Sequence, residues 1–218
     1  MKAVLVCRQM SESTSQELLI ATFNRGKVIE IESLLSELPL KPRGLSEFAQ
    51  IELVEETGIS FEENAILKAE GYAAQTRMWT LADDSGLEVE ALAGAPGILS
   101  ARYAGEGASD SERNNKLLNE LAKTGDHARR ARFVCAIALA DPSAKTAHLS
   151  IGTCEGRIAH EMRGSNGFGY DSVFIPDGYE QTFGELYAEI KERISHRARA
   201  LRSARTFLVE HFRLESLT

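Results

Sequence analysis

No apolar run in the 218 residues approaches the roughly 18 needed to span a bilayer. The first apolar stretch, Ala3 to Cys7, is too short for a secretory core, and no small-residue cleavage site follows it. Cysteine is scarce. Cys7, Cys135 and Cys154 are an odd number, far apart and without a CxxC, which argues against a disulfide framework or a zinc site. These absences predict a cytoplasmic protein with no membrane partner. Positive charge is also in deficit: 25 lysines and arginines against 32 acids leave a net −7. A protein that coats a nucleic-acid backbone needs a broad basic face, so no nucleic-acid partner is expected. A small anion held by a few local cations stays open. There is no GxxxxGK[ST] loop, no internal repeat and no low-complexity tract.

What remains is the composition of a globular protein, 43% hydrophobic and 26% charged. A chain of this length hides roughly 70% of its unfolded surface in one large domain or two small lobes. Residues 1–17 end in the polar run SESTSQE and read as an amino-terminal extension; 18–218 read as one domain. Its first strand is ELLIAT. A helix follows, with Val28, Ile31, Leu34, Leu35 and Leu38 on one face and Pro39 closing it. KPRGLSEF reads as loop and IELVEETG as strand. Ser60 and Glu63 form an S-x-x-E box opening a helix to about Arg77. MWTLADDSGLEVEAL reads as a strand, an acidic turn and a short continuation, and AGAPGILSARYAGEGA as a glycine-rich loop. SERNNKLLNELAK is a short helix. ARFVCAIALADP and AHLSIGTCEGRIA are two strands joined at Asp141 and Pro142, with Cys135 and Cys154 in the core. A final long helix starts near Ser195. Helices and strands mix throughout, which makes the class α/β.

Three segments carry unusual chemistry. Thr22-Phe23-Asn24-Arg25-Gly26-Lys27 lies at a strand-to-helix junction, where helix-start N–H groups, a hydroxyl, an amide and a lysine suit an anion. The plainer reading is an N-cap at Asn24 beside a solvated lysine. In Leu81-Ala82-Asp83-Asp84-Ser85 two adjacent carboxylates repel unless a cation offsets them, and magnesium with a further acid from Glu55 or Glu56 would do so. A solvated turn with an Asx cap is the alternative. The third comprises Gly167-Phe168-Gly169-Tyr170-Asp171 with Lys191 and Ser195-His196-Arg197. Its rings can stack on a planar base, and its cations can hold phosphate or a base carbonyl. Taken singly, these residues also read as core aromatics and helix-surface charges. His127, His148, His160 and His211 are scattered and read as incidental.

In order and spacing, ATFNRGK, EETGISFEENAILKA, ADDSGLEVEALAGAPGILSARYAG, GFGYDSVF and ISHRARAL resemble the inosine triphosphate pyrophosphatases over about Leu18 to Leu208. The resemblance implies an elongated two-lobed α/β fold on a central mixed sheet, with the active-site cleft between the lobes, and a homodimer. It implies magnesium-dependent hydrolysis of ITP, dITP and XTP to the monophosphate and pyrophosphate, cleansing the nucleotide pool. Thr22 to Lys27 match the triphosphate loop, and Lys68 a lysine near the phosphates. Asp84 matches the proton acceptor and metal ligand, Glu56 a second metal carboxylate, and Ser85 a substrate-site residue. Phe168, Gly169, Tyr170, Asp171, Lys191, His196 and Arg197 match residues around the nucleotide and its base. Phe23 departs from the family pattern, standing where a small residue is common, and is expected to crowd the loop.

These residue types suit the reaction. Water attacking a triphosphate spreads charge over phosphate oxygens and the leaving group, so positioning and electrostatics are what a protein supplies. Asp84 is expected to act on a metal-bound water, with Lys27 and Lys68 offsetting the charge. Donors such as His196 and Arg197 would favour the 6-oxo group of hypoxanthine or xanthine over the 6-amino group of adenine. A buried polar group left unpaired costs roughly 1–3 kcal/mol, about tenfold to a hundredfold in discrimination. Two other functions share these motifs: a nucleotide-sensing module without turnover, and an enzyme acting on another modified nucleotide.

Overall fold

The first strand, β1 (Gln16–Ile20), starts two residues ahead of the expected domain boundary and buries Leu18, Leu19 and Ile20. The computed structural model describes residues 16–125 and 129–214, so most of the amino-terminal extension, Cys7 and His127 lie outside the described residues. Parallel neighbours need a crossover. Helix α1 (Arg25–Leu35) carries the chain from β1 to β2 (Leu40–Gly44), and α2 (Phe61–Thr76) carries it on to β3 (Thr80–Val89). From β3 the sheet continues antiparallel through β4 (Arg130–Ala140), β5 (Thr146–Ile158) and β6 (Phe174–Pro176). The order β2-β1-β3-β4-β5-β6 makes the expected mixed α/β sheet.

Three apolar clusters hold it. Leu18, Ile20, Leu81 and Ile137 meet Ile31 and Leu35 of α1 and Leu201, Ala204 and Leu208 of α5 (His196–Phe212) on one face. On the other face Leu19, Ala82, Ala136 and Ala138 meet Ala65, Ala69, Tyr72 and Ala73 of α2, where small side chains allow close approach. Beyond them Leu87, Val89, Phe133, Cys154 and Phe174 pack with Leu117 and Leu121 of α3 (Asp110–Thr124). The first two clusters sandwich one lobe and the third builds the other, while β3 and β4 run through both. Among the described residues no helix is long and apolar enough to cross a membrane.

Several expectations need correction. LADDSGLEV contains no turn: all ten residues from Thr80 to Val89 pair with β4, because cations from other elements make two buried acids tolerable in a strand. The stretch from Ile51 to Gly58 is not a strand: it pairs with no strand among the described residues. It is pinned to α2 instead: Glu52 N donates to Gln75 Oε1 at 2.8 Å and Gly58 N to Asn64 Oδ1 at 2.8 Å. KPRG is not loop but β2; Pro42 is tolerated because the strand is an edge that pairs only with β1. The end of the expected strand continuation turns into a 3₁₀ segment, Glu90–Leu92, and the glycine-rich loop contains a second, Gly97–Arg102. A short helix, α4 (Ala188–Ile194), was not foreseen. Ser60 does cap α2, accepting from Glu63 N, but the Glu63 carboxylate takes the N–H of Ile59 and not that of Ser60.

Candidate active site

Side chains along a strand alternate between the two faces of a sheet, and β3 turns that rule into a division of labour. Asp83 and Ser85 face α1 and α5; Asp84, one residue away, faces α2. Asp83 forms ion pairs with Lys27 Nζ at 2.5 Å and Arg197 Nε at 3.0 Å. Arg197 Nη2 also donates to Ser85 Oγ at 2.9 Å, and Nη1 to Glu30 Oε2. On the other face Lys68 Nζ sits 2.9 Å from Asp84 Oδ1 and 2.9 Å from Glu56 Oε1. The two acids therefore do not oppose one another: each faces its own cations.

A cavity of about 310 Å³ opens over this strand. Thr22, Phe23, Asn24, Lys27, Glu56, Lys68, Asp84, Ser85, Phe168, Gly169, Tyr170, Asp171, Lys191, His196 and Arg197 all line it. Gly26 lines an adjoining hollow with Phe168 and Lys191. Arg25 lines neither and is exposed. Asn24 caps α1, its Oδ1 accepting from Lys27 N at 3.2 Å, and Thr22 Oγ1 accepts from Asn24 N at 3.1 Å. That turn brings Lys27 over β3. Phe23 is 56% exposed and stands at the rim, so it does not fill the loop as expected.

The far end of the cavity is aromatic. The Phe168 ring lies under Lys191 Nζ, 4.8 Å from its centroid, and a Cβ added to Gly26 would fall 2.5 Å from that ring. Only glycine lets α1 approach so closely. Lys191 pairs with Asp171 and, at 2.7 Å, with Glu30. His196 is buried, stacked on Phe133 at 4.6 Å, and its Nδ1 has no partner.

Burial and charge set the protonation states. Burial alone would raise Asp83, but Arg197, Lys27 and Lys68 hold it far below the usual carboxylate range. For Asp84 burial wins over Lys68 and Lys27, and its carboxyl sits above the usual value. Burial would lower Lys68 and Lys191, yet Asp84 and Glu56 raise the first and Asp171 and Glu30 the second. Burial, with Arg197 and Lys191 nearby, drives His196 well below its ordinary value, so the ring is neutral at pH 7.

Sequence reasoning saw Asp83 only as a neighbour of Asp84 and missed Glu30. Glu30 lies three residues after Lys27, one helical turn on, which is the signal that would have found it. Arg197 differs from a free base-edge donor: it is 1% exposed, with its guanidinium shared among Asp83, Glu30 and Ser85. Likewise Lys27, Lys68, Lys191 and Arg197 are not unpaired cations. They meet five carboxylates, those of Glu30, Glu56, Asp83, Asp84 and Asp171.

That balance bears on a metal. Among the described residues no three Asp, Glu, His or Cys side chains converge as a ready-made site. Asp84 Oδ2, however, is buried without a partner on a residue lining the cavity. Two carboxylates, one with an orphan oxygen, fit an ion that completes its shell with water and phosphate oxygens.

The Ham1 family model matches residues 18–207. A Bacillus anthracis protein named dITP/XTP pyrophosphatase is 45% identical over 198 residues, covering 90% of this chain and 98% of that one. One of the same name from Desulforamulus reducens is 47% identical over 192 residues, covering 88% and 95%. A solved HAM1 protein from Coxiella burnetii superposes with a TM-score of 0.81 at 43% identity, covering 89% of this chain and 99% of that one.

Proposed function

The chain belongs to the Ham1 family, and from that premise we propose that it hydrolyses non-standard purine nucleoside triphosphates such as dITP, XTP and ITP to the monophosphate and pyrophosphate. The names of its relatives support this reading. The observation that carries it is the pairing on β3: a buried acid with an unpartnered oxygen, flanked by Lys68 and, across the strand, by Lys27. Removing nucleotides with altered bases would cleanse the precursor pool.

The triphosphate lies toward Lys27, Lys68 and the start of α1, and the base toward Phe168. Asp84 takes the proton of the attacking water, the role of a carboxylate within hydrogen-bond reach. Lys68, fixed between Glu56 and Asp84, keeps its charge and offsets the charge that builds on the phosphate oxygens as the α–β anhydride breaks. Magnesium held by Glu56 and Asp84 would neutralise phosphate charge that a site with more carboxylates than cations cannot neutralise alone. At the base end, neutral His196 offers one N–H and one lone pair. Donation to a 6-oxo group suits hypoxanthine and xanthine; a 6-amino group would leave that donor unpaired. Arg197 serves this end indirectly, by holding Asp83 and Glu30.

The test is pyrophosphate release from dITP, XTP, dATP and dGTP, with and without magnesium. Fast release from dITP and XTP alone is expected. Asp84→Asn should fall by roughly 10²–10⁴-fold, the usual worth of a general base, with an unchanged circular dichroism spectrum. Full activity in that variant would refute the assignment.

A further inference from the structure

We propose that Asp110 and Asn114, four residues apart on α3, are positioning residues that set the base end of the cleft by clamping the peptides on both sides of Gly169. The inference rests on the reading above, which puts the base against Phe168. Residues i and i+4 share a helix face, and this face meets one glycine. Gly169 N donates to Asp110 Oδ2 at 2.6 Å, and Asn114 Nδ2 donates to Gly169 O at 2.9 Å and to Ser172 Oγ at 3.1 Å.

The loop needs such a clamp. Gly167 and Gly169 both have left-handed backbones, φ +73° and +62°, and glycine puts little steric limit on either. Hydrogen bonds must therefore set the loop's shape. From within, Asp171 Oδ2 accepts from Phe168 N at 2.8 Å; from outside, Tyr170 Oη donates to Ser100 O at 2.8 Å. Asp110 and Asn114 fix what lies between. Phe168 is joined to Gly169 by the peptide that Asp110 holds, so a shift there would carry its ring away from Gly26 and Lys191. The helix that imposes this is itself fixed. Ser109 and Glu112 close its capping box, Leu117 and Leu121 are core residues, and Arg113 ties Asp110 to the carbonyls of Ala101 and Ala108.

The experiment compares Asp110→Ala, Asn114→Ala and Asp110→Asn, the last of which keeps an oxygen for Gly169 N. KM and kcat are measured for dITP and dATP, dIMP binding is measured by calorimetry, and folding by thermal melts. We expect both alanine variants to raise KM for dITP about five- to tenfold with kcat within about twofold, as the loss of one or two hydrogen bonds that shape the loop predicts. Selectivity for dITP over dATP should narrow by a similar factor, and Asp110→Asn should restore both. A merely structural tie would lower the melting temperature and the active fraction while leaving KM and selectivity alone. That result, or an Asp110→Asn variant as impaired as Asp110→Ala, overturns the proposal. Asp110 is the more exposed of the two, so its variants carry the test if Asn114→Ala does not fold. If the unmodified protein releases no pyrophosphate, the proposed activity fails, but the dIMP titration still decides the clamp. Binding weakened about fivefold by Asp110→Ala and restored by Asp110→Asn supports it; equal binding rejects it.

Discussion

Asp83 and Asp84 are chemically identical neighbours that the fold drives in opposite directions. Three cations outweigh burial at Asp83 and keep it ionised, while burial outweighs Lys68 and Lys27 at Asp84 and raises it. Neighbouring acids whose pKa values are pushed apart can take different roles in acid–base chemistry. The sign of one consequence follows directly. On the proposed role of Asp84 as the base, kcat/KM should fall as acid protonates its carboxylate. Lys68→Met removes the nearest stabilising cation, so the residual activity should show an acid limb displaced to higher pH. A limb that stays put or moves toward acid would mean that Asp84 is not the group titrating. The ADDSG motif made this acid a candidate from the sequence alone. Its separation from Asp83 was not, because the segment reads as a turn until β4 is placed beside it.

At the scale of elements, helix starts were the most legible features, since capping acts within a few residues. Asn24 and Ser60, both offered as caps by the sequence, each accept from a backbone N–H three residues on; Ser109 caps α3 two residues ahead of the expected helix. Strands were less so: β2 looked like loop and the extended 51–58 segment like strand, since sheet membership depends on a neighbour elsewhere in the chain. The packing of α5 on β5 is of that distant kind. A Cβ added to Gly152 would collide with the backbone of His196 and Ala200 at the start of α5. Gly152→Ala should therefore cost roughly 1–3 kcal/mol in urea unfolding, as overpacking does. It should also lower kcat/KM, because the displaced turn carries His196 and Arg197. Unchanged stability and kinetics would show that α5 can shift freely.

Across the whole molecule, one buried ionic network joins α1 through Lys27 and Glu30, β3 through Asp83, α4 through Lys191 and α5 through Arg197. Both Asp83 and Glu30 have folded pKa values below their unfolded ones. Their stabilisation is complete above the unfolded value and is lost as pH falls through the folded one. Asp171, raised chiefly by burial, acts in the opposite sense and offsets part of that loss. His196, held neutral by burial, should make stability begin to fall below about pH 6.5, and loss of the Asp83 and Glu30 contributions should steepen the fall from about pH 4 downward. Asp83→Asn leaves Arg197 short of its buried partner and should cost about 3–5 kcal/mol at pH 7, with a flatter dependence in acid. Urea melts between pH 7 and pH 3 measure both; parallel curves for the two proteins would exclude Asp83 as the acid-sensitive group.

What the sequence determined by itself is chemistry of short range: the α/β class, the caps, the β4–β5 pair, and the motifs that name a nucleotide-handling family. What only the tertiary structure decided is which charges meet. Arg197 reaches Asp83 across 114 positions and Glu30 across 167, and those partners engage the guanidinium that the sequence offers as a donor to the base. The same holds for Asp110, Asn114 and Gly169, which no local pattern connects. Pairing and protonation depend on burial and on neighbours, and both come into being only when the sheet order brings distant segments together.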